Sequence, residues 1–375
     1  MDAIDRLTIN GYKSIRSLEN FEMRRLNVLI GANGAGKSNF VGFFRLMRSL
    51  VEQRLQLALA VEGGADVCLH RGPKAVARLA ARIDFGESEY AFSLVPATGD
   101  RLAFSSELAI NNGVGQDLGS GHFEAHLKDC ADRRGAQLAP AHPAYESISN
   151  WVVYHFHDTT SLASVRRQRA INDSEYLRED AANLAAFLYR IRHASRDTYD
   201  HIRDVVRMIA PFFDDFKLCP VPNTPDLIQL EWLQKGSGRP FDPNQMSDGT
   251  LRFVCLATAL LQPSRPATIL FDEPEIGLHP HALAILGALF HKAAYDKQLV
   301  ISTQSASLLN EFEPDDIVVV ERANGESFFH RLSAASVSEW LREYSIGELW
   351  EKNVLGGDPH DDRFFEPVSE AAGEQ

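Results

Sequence analysis

Residues Leu26-Asn-Val-Leu-Ile-Gly-Ala-Asn-Gly-Ala-Gly-Lys-Ser-Asn-Phe-Val41 decide how the rest of the chain is read. Leu26 to Ile30 is an apolar run of strand length. Gly31 to Ser38 has the spacing GxxxxGKS, and from Asn39 onward apolar residues recur at helical intervals. Strand, glycine-rich loop and helix in that order form a phosphate cradle. The glycines let backbone N–H groups turn inward around an anion, and the helix adds its positive N-terminal end. Lys37 is of a length to reach phosphate oxygens, and the Ser38 hydroxyl can take a Mg²⁺ position. The phosphate-binding set read here is Gly31, Asn33, Gly34, Gly36, Lys37, Ser38 and Asn39.

Outward from this stretch, Ile4 to Ile15 reads as a strand broken at Gly11. The helix after the loop is expected to continue to Gly63-Gly64, with a loop over Cys68 to Pro73. Alternating segments at Ala80–Phe85, Tyr90–Val95 and Leu102–Ile110 predict an antiparallel meander, followed by a Gly- and Asn-rich loop from Asn111 to Gly121. Trp151–Phe156 reads as a strand, Glu175–Arg192 and Tyr199–Ile209 as helices, and Leu227–Trp232 as a strand. Gly236–Asn244 reads as a loop and Leu251–Leu261 as a helix. Ala267–Asp272 is a continuous apolar run of the buried parallel-strand kind. A helix over Pro280–Ala294 and strands over Gln298–Ser302 and Ile317–Glu321 complete an α/β pattern, and the residues after Gly356 predict a disordered acidic tail.

The 375 residues carry a net charge of −13, which argues against a surface uniformly attractive to nucleic acid. Four scattered cysteines without a CxxC pair predict a reducing compartment and neither a disulfide framework nor a zinc site. No apolar stretch is long enough to span a bilayer, and Asp2 and Asp5 replace a basic leader. These features predict a soluble cytoplasmic protein.

Asp272-Glu273, at the end of an apolar strand, supplies the second half of a phosphate machine. A strand-end aspartate can hold Mg²⁺, and the adjacent Glu273 can orient and deprotonate a water. Ser247-Asp-Gly-Thr250 precedes a helix, which puts a hydroxyl and free N–H groups at a positive helix end; a plain N-cap would use the same residues.

Ser247-Asp-Gly-Thr250 resembles the signature loop of ABC-type ATPases. Asp272-Glu-Pro-Glu-Ile-Gly-Leu-His-Pro280 resembles the Walker B segment and D-loop of RecF-like members, and Gly11-Tyr-Lys-Ser-Ile15 is similar to RecF and SMC heads. Tyr154-His-Phe-His-Asp158, Leu177-Arg-Glu-Asp180 and Tyr344-Ser-Ile-Gly-Glu-Leu-Trp350 extend the likeness, over nearly the whole chain, to stand-alone predicted bacterial ATPases of AAA-15 type. The resemblance implies an α/β P-loop NTPase of ABC/RecF head type with a mainly helical inserted lobe. It implies ATP and Mg²⁺ as ligands and an ATP-dependent homodimer in which Ser247 and Gly249 complete the partner's site. Where transporter-type members have a histidine, this chain has Gln304, which can donate to a phosphate or orient water but cannot shuttle a proton. Slow turnover without an imidazole pKa is therefore expected, with Glu273, Gln304 and Lys37 as catalytic residues and Ser38 and Asp272 on the metal. No Q-loop glutamine is legible; His70-Arg71-Gly72 lies in the corresponding region.

The expected division is a core part over 1–111, an insertion over 112–241, a second core part over 242–356 and a tail over 357–375. His155 and His157 are spaced as a metal half-site and His122 and His126 as one helix face, and packing is the preferred reading of both pairs. Arg166, Arg167, Arg169, Arg178, Arg190, Arg192, Arg196, Arg203 and Arg207 make the middle region locally basic, the best candidate for a DNA or partner surface. The expected function is an ATP-hydrolysing, dimerising switch in DNA maintenance or anti-phage defence. The alternative is a low-turnover ATP-binding subunit that controls a separate effector. A nuclease of OLD type is not expected, because the stretch after Val320 is short and lacks an acidic metal cluster, nor is a transporter motor, because the chain has no span and resembles the RecF-like side instead.

Overall fold

The computed structural model describes residues 3–72, 76–132, 139–263 and 266–356; the expected acidic tail lies outside them. Strands β1 (Arg6–Tyr12), β2 (Ile15–Glu22) and β3 (Leu26–Ile30) lead into helices α1 (Lys37–Val51), α2 (Leu55–Val61) and α3 (Ala65–Cys68). A meander follows, β4 (Leu79–Phe85), β5 (Ser88–Ala97), β6 (Arg101–Asn111) and β7 (Val114–Gly119). Helices α4 (Leu127–Ala131) and α5 (Ala141–Ser149) then run to β8 (Trp151–Tyr154). Beyond it come β9 (Arg169–Ala170), α6 (Leu184–Ala194), α7 (Arg196–Ile209), β10 (Phe213–Lys217), β11 (Pro220–Val221), β12 (Thr224–Ile228), β13 (Glu231–Gln234) and β14 (Pro240–Phe241). The chain closes with α8 (Asp248–Leu261), β15 (Thr268–Asp272), α9 (Pro280–Ala294), β16 (Gln298–Thr303), β17 (Ile317–Ala323) and β18 (Glu326–Arg331), then short helices.

One six-stranded sheet runs β18-β17-β3-β16-β15-β8 and is parallel except at β18; the other, antiparallel, runs β2-β1-β4-β5-β6-β7. The period of two along the parallel strands splits their side chains between two cores. Leu29, Leu270, Val300 and Val318 pack on α1 and the antiparallel sheet. Val28, Ile269, Leu299 and Ile317 pack on α8 and α9 on the other face. Each such fully buried aliphatic side chain contributes about 1.5–3 kcal/mol relative to exposure. Helix α1 is buried by its aromatic face, with Phe43 against Tyr12 at 5.8 Å and Phe44 against Trp151 at 5.0 Å between ring centroids. Anchored on both sides, the start of α1 is a rigid platform for the glycine loop.

Several local expectations are corrected. Gly11 does not break β1; the chain reverses after it, at Lys13 (φ 47°) and Ser14. The first long helix is two, because Gln53 adopts a left-handed conformation (φ 58°) between α1 and α2. The expected loop at 111–121 contains β7. Asn112 and Gly113, both at positive φ, close a two-residue hairpin between β6 and β7. The helix expected from Glu175 begins at Leu184, because buried Asn183 binds Asp173 O at 2.9 Å, Tyr176 O at 2.8 Å and Arg178 N at 2.9 Å, fixing a loop before it. The strand expected at 227–232 is split between β12 and β13, which belong to different three-stranded sheets. The stretch 112–241 also does not stand apart from the core. Its first strand pairs with β6, and Trp151–Tyr154 forms the edge of the parallel sheet beside β15.

Candidate ATPase site

Strand β16 lies between β3 and β15, with Thr303 opposite Ile30 and Ser302 opposite Asp272. The glycine loop, Asp272-Glu273 and Thr303-Gln304 therefore leave one carboxyl edge of the sheet together, the usual ligand edge of an open parallel sheet. Gly34 (φ 80°) and Gly36 (φ 119°) take conformations that a side chain resists, and Gly36 caps α1. A Cβ on Gly36 would stand 2.0 Å from Ser327 Oγ. Two hairpin turns brace the loop. Ser327 Oγ donates to Ala35 O at 2.5 Å, and Asn39 Nδ2 donates to Ser14 Oγ at 2.6 Å. Arg322 donates to Gly34 O at 3.0 Å. Asn33 and Ser38 remain exposed at the loop surface.

Lys37 is buried, and its ammonium donates to Gly31 O at 2.5 Å and Ala32 O at 3.2 Å. Burial lowers its pKa, opposed by the nearby charges of Glu273, Asp272 and Glu275. Glu273 sits at φ 46°, a strained backbone for a non-glycine residue, held by its N–H donating to Ser302 O at 2.8 Å. Gln304 Nε2 donates to Glu273 Oε1. Glu275, not singled out by the sequence, accepts from Thr303 Oγ1 at 2.6 Å and from Gln304 N at 3.0 Å, and burial raises its pKa. Asp272 Oδ1, Glu275 Oε2 and Ser302 Oγ are buried without a hydrogen-bond partner. Unpartnered hard oxygens at the strand ends beside the glycine loop fit a cation such as Mg²⁺.

The signature-like loop is built separately. Ser247 is the N-cap of α8, its Oγ accepting from Thr250 N at 3.2 Å. A Cβ on Gly249 would lie 2.4 Å from Gly277 O, so this loop and the D-loop-like segment at Gly277 touch backbone to backbone. Two buried arginines fasten them. Arg166 binds Thr159 O at 2.9 Å, Met246 O at 3.2 Å, Pro243 O and Asp248 Oδ1 at 2.6 Å. Arg252 binds Phe156 O and His157 O, both at 2.8 Å, and Ile276 O.

These contacts change the reading of the arginine-rich region. Arg166 points inward, Arg178 pairs with Asp173, and on α7 Arg196, Arg203 and Arg207 pair with Asp200, Asp204 and Asp214. Much of the positive charge is thus compensated locally, and three of the pairs within α7 have the i,i+3 or i,i+4 spacing that favours them. His155 and His157 are both exposed and join no metal-ligating cluster among the described residues. His70 is buried, its Nδ1 donating to Lys13 O at 2.7 Å.

A family model described as "AAA domain, putative AbiEii toxin, Type IV TA system" matches residues 26–310. The chain belongs to this AAA family. No curated protein matches it. The fold of this AAA-family chain is similar to an SMC head solved bound to the C-winged helix domain of ScpA. That likeness has 16% identity, covers 90% of this chain and 99% of that one, and has a TM-score of 0.52. A second similar structure is the Pyrococcus furiosus SMC head with an extended coiled coil bound to the C-terminal domain of ScpA. It has 16% identity, coverage of 92% and 99%, and a TM-score of 0.52. The fold is therefore that of an ABC-type P-loop ATPase head, in agreement with the RecF/SMC-like resemblance; the narrower AAA-15 grouping is compatible with both findings.

Proposed function

We propose that this AAA-family chain binds ATP, hydrolyses it in the presence of Mg²⁺, and uses hydrolysis to separate two copies that ATP brings together. The supporting observation is the convergence of the glycine loop, Asp272-Glu273 and Gln304 at one sheet edge, where Asp272 and Ser302, opposite each other, carry unpartnered buried oxygens. In this reading the N–H groups of the loop hold the β-phosphate, and Lys37 exchanges its two carbonyl partners for phosphate oxygens. Ser38 and Asp272 would hold Mg²⁺, which when bound neutralises charge on the β- and γ-oxygens. Glu273 accepts the proton of the attacking water, and Gln304, bonded to Glu273, orients both. Exposed Ser247 and Gly249 beside it, at the head of α8, complete the γ-phosphate site of a second copy.

A protein effector in a cytoplasmic setting is favoured over DNA, because the arginines that would meet a phosphate backbone are largely paired with aspartates. No helix among the described residues is long and apolar enough to cross a membrane. Roles in DNA maintenance or anti-phage defence fit an ATP-dependent switch of this kind. A low-turnover regulatory subunit is the second reading, favoured by the amide in place of an imidazole beside Glu273. Phosphate release measured with Mg²⁺ and with excess EDTA separates the two: Mg²⁺-dependent release is expected, and its absence leaves only the regulatory reading.

A further inference from the structure

The antiparallel sheet carries a polar cluster that the phosphate chemistry does not use. Glu107 is 1% exposed and lies in the inward row of β6 with Leu102, Phe104 and Ala109, where an apolar side chain would pack. Two register irregularities flank it. One lies between β5 and β6 at Ser105, the other between β6 and β7 at Leu118. Bulges of this kind re-aim side chains at specialised sites.

The carboxylate is held on both oxygens. Oε1 accepts from Tyr90 Oη at 2.8 Å and Leu127 N at 3.2 Å, and Oε2 accepts from His122 Nε2 at 2.8 Å and His126 N at 2.9 Å. His126 Nδ1 donates to Leu118 O at 2.9 Å, an acceptor-only group, so the neutral ring carries its lone pair on Nε2. His122 stacks between Phe104 and His126, with centroid distances of 4.5 and 3.9 Å. One ring nitrogen of each histidine and one Glu107 oxygen lie within 4.8 Å of one another.

We propose that Glu107, His122 and His126 form a site for a divalent transition-metal ion of the Zn²⁺ class. Two imidazoles and a carboxylate are a donor set for Zn²⁺, with a fourth position left to water. The hydrogen bonds from Tyr90 and Leu127 to Oε1, and from His126 to a backbone carbonyl, are the outer contacts that orient metal ligands. The ion takes the place of the proton on His122 Nε2, which leaves to solvent, and the stacked His122 and His126 rings turn apart so that both in-plane lone pairs meet it. It ties β6, the segment at 119–126 and α4 at one point, and the partly exposed His126 ring provides the path of entry.

Metal-depleted full-length protein titrated with Co²⁺, without nucleotide, tests the assignment. The wild type should bind one Co²⁺ per chain with the intense visible bands of a tetrahedral site, and Zn²⁺ should abolish them. His126→Ala and His122→Ala should each weaken that binding roughly tenfold or more. A Co²⁺ ion at the oxygen donors near Asp272 is octahedral and insensitive to these substitutions, which keeps the two sites apart. Should Glu107→Gln fail to fold, the histidine variants still decide. Absence of tetrahedral bands in the wild type, or unchanged bands in both histidine variants, overturns the proposal and leaves a cluster held by protons alone.

Discussion

The Gln304 carboxamide donates to Oε1 of Glu273, joining the ends of two adjacent parallel strands. Glu275 holds the same turn from behind, through Gln304 N and Thr303 Oγ1. The proposed proton acceptor is thus aimed by a group that stays neutral at every physiological pH.

Gln304→Ala should lower phosphate release by roughly a hundredfold, the usual cost of losing one oriented donor at the reacting centre. The pH–rate profiles of wild type and variant should both lack a step in the histidine range. A rate-controlling ionisation near neutrality that disappears in Gln304→Ala contradicts this assignment.

Burial raises the Glu275 carboxyl above its ordinary range, so the unfolded chain releases this proton at lower pH than the folded one. The stabilisation is complete below the unfolded pKa and is lost as pH rises through the folded pKa. In Glu275→Gln that loss should vanish. Urea midpoints should shift in favour of the variant as pH rises from the carboxylate range to neutrality, while turnover falls because the 303–304 turn is disturbed. A wild-type-to-variant gap that does not change with pH counts against a buried, raised carboxyl.

Arg166→Met should destabilise the fold by about 2 kcal/mol, since it strips charged donors from the carbonyls of Thr159 and Met246 while keeping a buried stem. Urea denaturation measures it. An unchanged midpoint would show that the guanidinium is not holding the signature loop.

Gly249→Ala places a methyl 2.4 Å from Gly277 O and must push the signature loop off the D-loop. Gel filtration of this change in a Glu273→Gln background should show less ATP-dependent dimer than Glu273→Gln alone, with ATP affinity of the monomer preserved. Equal dimer in both proteins contradicts the composite site.

The phosphate edge was legible because its parts are long and unambiguous. The buried strands at Leu26–Ile30 and Thr268–Asp272 are mostly apolar, and α9 starts and stops where Pro280 and Ala294 predict. Other features were hidden by the same residue types acting differently. Asn112-Gly113 looked like loop composition and is a hairpin turn, since two adjacent positive-φ residues reverse a strand tightly. Asn183 sits inside a helical pattern, yet its side chain captures the backbone of the preceding loop. Arg166 counts as surface charge in a sequence and turns out to be buried, because its partners include the carbonyls of Pro243 and Met246, more than 70 residues away in the chain. Glu275 reads as one more acidic residue in an acidic stretch, and only the neighbouring strand end reveals what it binds.

The most direct test of the account is steady-state phosphate release by wild type and Glu273→Gln at saturating ATP and Mg²⁺. The wild type should turn over slowly but measurably, and Glu273→Gln should fall at least roughly a hundredfold, as expected for loss of the general base. Equal rates in the two proteins, or no Mg²⁺-dependent release from the wild type, would contradict it.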